Sequence, residues 1–122
     1  MSTARVPITI KVRNKFEIKG ELYRHIAPYT VRAMMKVGTF ESWAVLHEHG
    51  FMMLTNVRAG LEKSRRSFSA GDIAFLPINA SIWFFARDAN VNRPMSFIGR
   101  TEEVEKLSDV KRGDYVTLII EA

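Results

Sequence analysis

Two histidines one residue apart, His47 and His49, have the spacing in this chain of 122 residues that most directly invites chemistry. On an extended strand, side chains at i and i+2 share a face, so two imidazoles placed this way can chelate a divalent metal ion. A tight site takes three or four ligands. The residues that follow, Phe51 to Leu54, supply none. The expectation is therefore a pair of turn histidines and no metal, with metal binding through His47 and His49 as the alternative. Arg58, Lys63, Arg65 and Arg66 are the densest basic group in a chain of formal net charge +5. Such residues can displace the counterions of a phosphate backbone. No nucleic-acid motif accompanies them, so a solvated basic surface is expected and association with RNA or DNA is the alternative. The remaining group is apolar. Trp83 and Phe85 lie two residues apart and share one face of a strand, and Phe51 and Met52 belong to a neighbouring strand. An aromatic face of this kind suits a flat ligand or a peptide segment, although core filling is the commoner role of each residue.

No catalytic set emerges. The chain has no cysteine, no phosphate-cradling glycine loop and no Gly-x-Ser-x-Gly elbow. Its three histidines fall in unrelated elements, and His25 stands alone near a helix start. Glu102, Glu103 and Glu105 read as the acidic first turn of a helix. Asp72 and Asp114 read as residues that shape glycine turns.

The elements that must carry these residues are short. Ile8 to Val12 and Phe16 to Leu22 alternate apolar and polar side chains around Asn14-Lys15, which predicts a β-hairpin. Pro28, Val31, Met34 and Met35 predict the one substantial helix, ending at Gly38. Phe40 to Leu46 and Phe51 to Leu54 predict strands on either side of the turn His47-Glu48-His49-Gly50. Asn56 to Ser69 reads as the longest polar interruption and a mobile loop. Ile73 to Leu76, Ile82 to Phe85, Phe97 to Arg100 and Tyr115 to Ile120 predict further strands, with Ala89 to Pro94 as a polar loop and Glu102 to Leu107 as a short helix. About eight strands and one main helix predict a single domain, mostly β, folded as one closed barrel whose helix plugs an open end.

The order of these elements resembles the cyclophilin-like fold, in particular small prokaryotic proteins of uncharacterised function. The resemblance rests on Gly71-Asp72 with Pro77, on Trp83-Phe84-Phe85, on Ile98-Gly99, on Gly113-Asp114 and on a strand tryptophan at Trp43. It implies a groove for a peptide or small molecule. Gly50-Phe51-Met52 looks like the groove floor of prolyl isomerases, and Phe84-Phe85 like its paired phenylalanines. The polar half of that groove is missing. An apolar residue near Leu46 replaces the arginine, and Leu54 and Trp83 replace the two glutamines. A pocket with an apolar wall and no electrostatic groups can bind without stabilising a transition state, so no prolyl isomerase activity is expected. His47-x-His49 ahead of the Gly71-Asp72…Pro77 turn also resembles the cupin metal barrel. The third histidine and the glutamate of that pattern are absent, with Ile82-Trp83 and Phe51 to Leu54 in their places.

Composition sets the outer limits. With 47% hydrophobic and 25% charged residues the chain is ordinary for a globular domain. No apolar run approaches the ~20 residues of a membrane span, and Met1 to Pro7 lacks an apolar signal core, so a cytoplasmic protein without membrane contact is expected. No cofactor is implied. Exposed strand edges or the Trp83 face offer a surface for a homodimer.

Overall fold

Alternating side chains become ten strands in the computed structural model, which describes residues 4–121. Strands β1 (Arg5–Val12) and β2 (Phe16–Tyr23) form the predicted hairpin, antiparallel, with Val12 opposite Phe16. Helix α1 (Pro28–Val37) starts at its proline and stops at Gly38, whose φ of 84° suits a residue without Cβ. It turns Thr30, Val31 and Met34 into the core and leaves Arg32 and Lys36 exposed. No side chain of the helix's own N-cap satisfies its first amides. Glu62, from a distant loop, does so instead. Its carboxylate accepts hydrogen bonds from Tyr29 N (3.0 Å), Thr30 N (2.8 Å) and Thr30 Oγ1 (2.8 Å), and places negative charge at the positive end of the helix dipole.

The chain continues through β3 (Thr39–Trp43), β4 (Val45–His47), β5 (Gly50–Leu54), β6 (Ser64–Phe68) and β7 (Asp72–Leu76). A 3₁₀ turn at Pro77–Asn79 leads to β8 (Ser81–Phe85) and β9 (Ala89–Thr101), and α2 (Val104–Ser108) precedes β10 (Tyr115–Ile120). All strands belong to one antiparallel sheet in the order β3-β10-β1-β2-β9-β7-β8-β5-β4, with β6 paired to β9 off this path.

The closed barrel expected from the sequence does not form: the sheet is open. Its two end strands are neighbours along the chain. Ala44 N donates to Asp114 O (2.8 Å), which prolongs the pairing of β3 with β10. At that residue the chain crosses to the far end of the sheet, where β4, three residues long, pairs with β5. Among the described residues no ladder joins β3 to β4 or β5. The count of about eight strands is corrected too. The segment 39–47 is two strands that serve opposite ends of the sheet. The segment expected to be a mobile loop contains β6, and the polar run 89–94 is the first half of β9, paired to β6.

The sheet has two apolar faces. The main core gathers Ile8, Ile10, Ile18, Leu22, Phe51 and Phe84, with α1 packed on it through Val31 and Met34. A smaller cluster on the other face holds Phe68, Leu76, Phe85, Met95 and Phe97. All five residues of β7 are buried because both of its faces are covered, which is why Asp72–Leu76 reads as a continuous apolar run after its aspartate. Alternation along β8 sends Phe84 into the main core, stacked on Phe51 at 4.7 Å, and Phe85 into the smaller cluster, stacked on Phe68 at 4.7 Å. Asp72 is buried and paired with Arg100 at 2.8 Å, and it accepts Ser69 N at 2.8 Å, so it does shape the turn at Gly71.

Candidate ligand-binding site

The smaller apolar face reaches solvent beside the β4–β5 turn. His47 lies opposite Gly50, and Gly50 lies opposite Phe85. The His47 ring extends over the neighbouring strand, and a Cβ at Gly50 would strike Phe84 O, so β5 can lie this close to β8 only with glycine there. The His47 ring centroid lies 4.3 Å from that of Trp83, tilted by 31°, and 5.5 Å from that of Phe85. Trp83 is held in turn: its Nε1 donates to Ser81 Oγ (2.8 Å), which donates to Asn79 Oδ1 (2.5 Å). An indole that can turn neither toward the core nor away from His47 presents a fixed, half-buried aromatic edge.

The backbone decides the state of His47. His49 N donates to His47 Nδ1 (3.1 Å), so Nδ1 offers its lone pair and the ring proton resides on Nε2. Among the described residues Nε2 has no hydrogen-bond partner, and it is enclosed. Burial drives the pKa of His47 from 6.5 down to about 4; the Phe51 and Phe84 carbonyls oppose this, and the charges of His49 and Arg87 add to it. At neutral pH His47 is an uncharged ring. The same geometry bears on the metal alternative. One nitrogen of His47 is engaged, the other is enclosed, and the two imidazole centroids stand 6.5 Å apart. Among the described residues no group of three potential ligands converges on a metal position.

A cavity of about 470 Å³ opens over this stack, walled by Trp83, His47, Leu76 and Met95 and rimmed by Asn90 and Arg93. Arg93 is exposed and makes no ion pair among the described residues. A second, more polar recess of about 630 Å³ adjoins it, and the two share Glu48, His49 and Asn90. The arrangement can hold a flat or apolar group against aromatic rings and meet polar substituents at the rim. It contains no nucleophile activated by a base.

The other residues singled out from the sequence separate. Phe51 is fully buried in the main core and cannot floor a groove. Met52 is half-buried beside Trp83, between it and Val45, and lies outside the lining of the cavity. Phe85 is fully buried beneath His47 and Trp83. Arg58 lies at another recess, near Pro77 and Ala80. Lys63 and Arg66 are exposed, while Arg65 lines the polar recess with its guanidinium 3.9 Å from the Phe97 ring centroid. Trp43 is 60% exposed at the β3 edge and packs on Tyr115, far along the strand order from Trp83. His25 packs on Tyr23. Sequence reasoning missed Asn90, Arg93 and Met95, because a run of polar residues around one valine carries no strand signal. The Pro94-Met95 step was the available hint, an apolar residue resuming after a polar run.

No protein-family profile matches the chain, and a search of curated proteins finds no match. Solved structures do match. One is the solution structure of a hypothetical protein from Archaeoglobus fulgidus, which superposes with a TM-score of 0.74 over 99% of this chain and 98% of that one, at 22% sequence identity. That likeness establishes a shared fold. No helix among the described residues is long and apolar enough to cross a membrane.

Proposed function

We propose that the chain is a binding module, related to the cyclophilin-like proteins its motifs resemble, which holds a small molecule or a peptide segment by a flat or apolar group and does not catalyse prolyl rotation. The observation that carries this reading is the Trp83 indole, fixed by its hydrogen bond to Ser81 and stacked on an uncharged His47, at the wall of a cavity of about 470 Å³. That volume falls within the range of about 300–1,000 Å³ common for small-molecule sites. The site differs from the isomerase groove suggested by Gly50-Phe51-Met52, because Phe51 faces the main core. Nor does His47 offer a base to a ligand, since its lone pair is spent on His49 N.

Titration of isotope-labelled protein with aromatic carboxylates and with short peptides containing proline or an aromatic residue tests the reading. Binding should move the amide signals of His47, Trp83 and Met95 together, and Trp83→Ala should abolish it. Unchanged binding by Trp83→Ala, or shifts confined to the Arg58 recess, would overturn the site. Saturable prolyl isomerase activity above the uncatalysed rate would overturn the functional class.

A further inference from the structure

We infer that the ligand carries a hydroxyl-rich unit, such as a vicinal diol, joined to the ring that Trp83 holds; a nucleoside or an aryl glycoside has this chemistry. The inference rests on the reading of the Trp83 cavity as a binding site and extends it into the adjoining recess. Because Glu48, His49 and Asn90 line both compartments, a substituent leaving the aromatic wall passes directly into the polar one.

What waits there is a balance of donors and acceptors. Arg65 lies flat over Phe97 at 3.9 Å and, among the described residues, makes no ion pair, so its guanidinium edge is free to donate. Asp88 uses Oδ1 to accept Ala70 N (2.9 Å) and keeps its second oxygen. Glu48 is exposed, and among the described residues its carboxylate makes no ion pair. Ionised carboxylates accept hydrogen bonds and cannot donate them, whereas a guanidinium only donates. A phosphate or carboxylate entering this recess meets two like charges against one guanidinium. An ammonium group meets the two carboxylates but offers Arg65 no acceptor. The two hydroxyls of a diol bring no charge: one can donate to Glu48 and the other to Asp88, and either oxygen can accept from Arg65. Loss of one such charged hydrogen bond lowers affinity about tenfold or more.

The test compares adenosine, its analogue lacking the 2′ and 3′ hydroxyls, adenosine monophosphate, phenyl glucoside and anisole by calorimetry, with the Trp83 signals followed by NMR. Adenosine or phenyl glucoside should bind about tenfold or more tightly than its diol-free counterpart, and whichever shows the gain identifies the source. In the variant Asp88→Asn, which alters only the polar recess, the gain should fall severalfold while the diol-free ligand binds as before. The asparagine retains an Oδ1 acceptor for Ala70 N, so the turn is preserved. Equal binding of each pair overturns the hydroxyl inference and leaves the aromatic site standing. Tighter binding of the monophosphate than of adenosine overturns it in favour of an anion subsite. No response at Trp83 to any ring compound overturns both readings.

Discussion

Replacing His47 by phenylalanine should flatten one section of the pH dependence of stability. In the folded protein His47 titrates near 4 instead of 6.5, chiefly because its ring is desolvated. At pH 7 it is neutral in both folded and unfolded chains and contributes nothing to the dependence. As pH falls below 6.5 the unfolded chain takes up a proton that the folded chain refuses, so the unfolded state binds more protons and stability falls. The loss is complete once the pH drops through about 4, where both states are protonated. At about 1.36 kcal/mol per pH unit the full interval corresponds to a ceiling of about 3 kcal/mol. The ring is half-buried, and partial solvent screening reduces this to about 2 kcal/mol, of which about 1 kcal/mol is lost by pH 5. Urea unfolding at about pH 7 and about pH 5 measures it. His47→Phe keeps a ring against Trp83 and Phe85 but cannot titrate, so it should lose about 1 kcal/mol less than the parent between the two conditions. An equal loss in parent and variant would refute the desolvation argument.

Three further outcomes follow from the packing. Gly71 has φ of +96° and its missing Cβ would strike Thr101 O, whereas Gly113 has φ of +90° with nothing within 4 Å, so Gly113→Ala should cost about 1 kcal/mol and Gly71→Ala at least twice that by urea unfolding. Glu62→Ala removes the acceptor of two helix amides and the Thr30 hydroxyl, and should cost about 1–2 kcal/mol and speed hydrogen exchange at Tyr29 and Thr30. Asp72→Ala leaves the partly buried Arg100 with only the exposed Glu102, at 3.5 Å, and Ser69 N without its acceptor; a loss of about 2 kcal/mol is expected, and an unchanged unfolding midpoint would show that the pair carries no stability.

Local pattern made much of the sheet legible. Alternation gave the β1–β2 hairpin, proline and glycine bracketed α1, and the two-residue period placed Trp83 and Phe85 on one face. Closure of the sheet was not legible, because whether two strands meet is decided by one peptide group. Ala44 gives its N–H to Asp114, the residue before β10, and nothing in an alanine announces that. Strand β6 escaped notice because Ser64-Arg65-Arg66-Ser67 is polar on both faces, and its pairing with β9 comes from the partner strand. The site was half legible. The histidine pair and the aromatic strand were read as separate features, while their stacking comes from the register of β4 on β5 and of β5 on β8. The basic quartet was legible only as composition, and the structure sets Arg58 and Arg65 at different recesses and leaves Lys63 and Arg66 exposed.

The strand order also governs how the chain must be assembled over time. Strands β1 and β3 precede β10 by most of the described chain, yet each completes its ladder only with it, and β2 waits for the far end of β9. A growing chain can form the β1–β2 and β4–β5 hairpins locally, but β9, which unites the two halves of the sheet, and β10 follow both. Such non-local pairing places folding toward the slow, millisecond-to-second end of the range for small domains. Until it is complete, the apolar faces of β1 and β3 lie open, the condition in which exposed strands are most prone to aggregate.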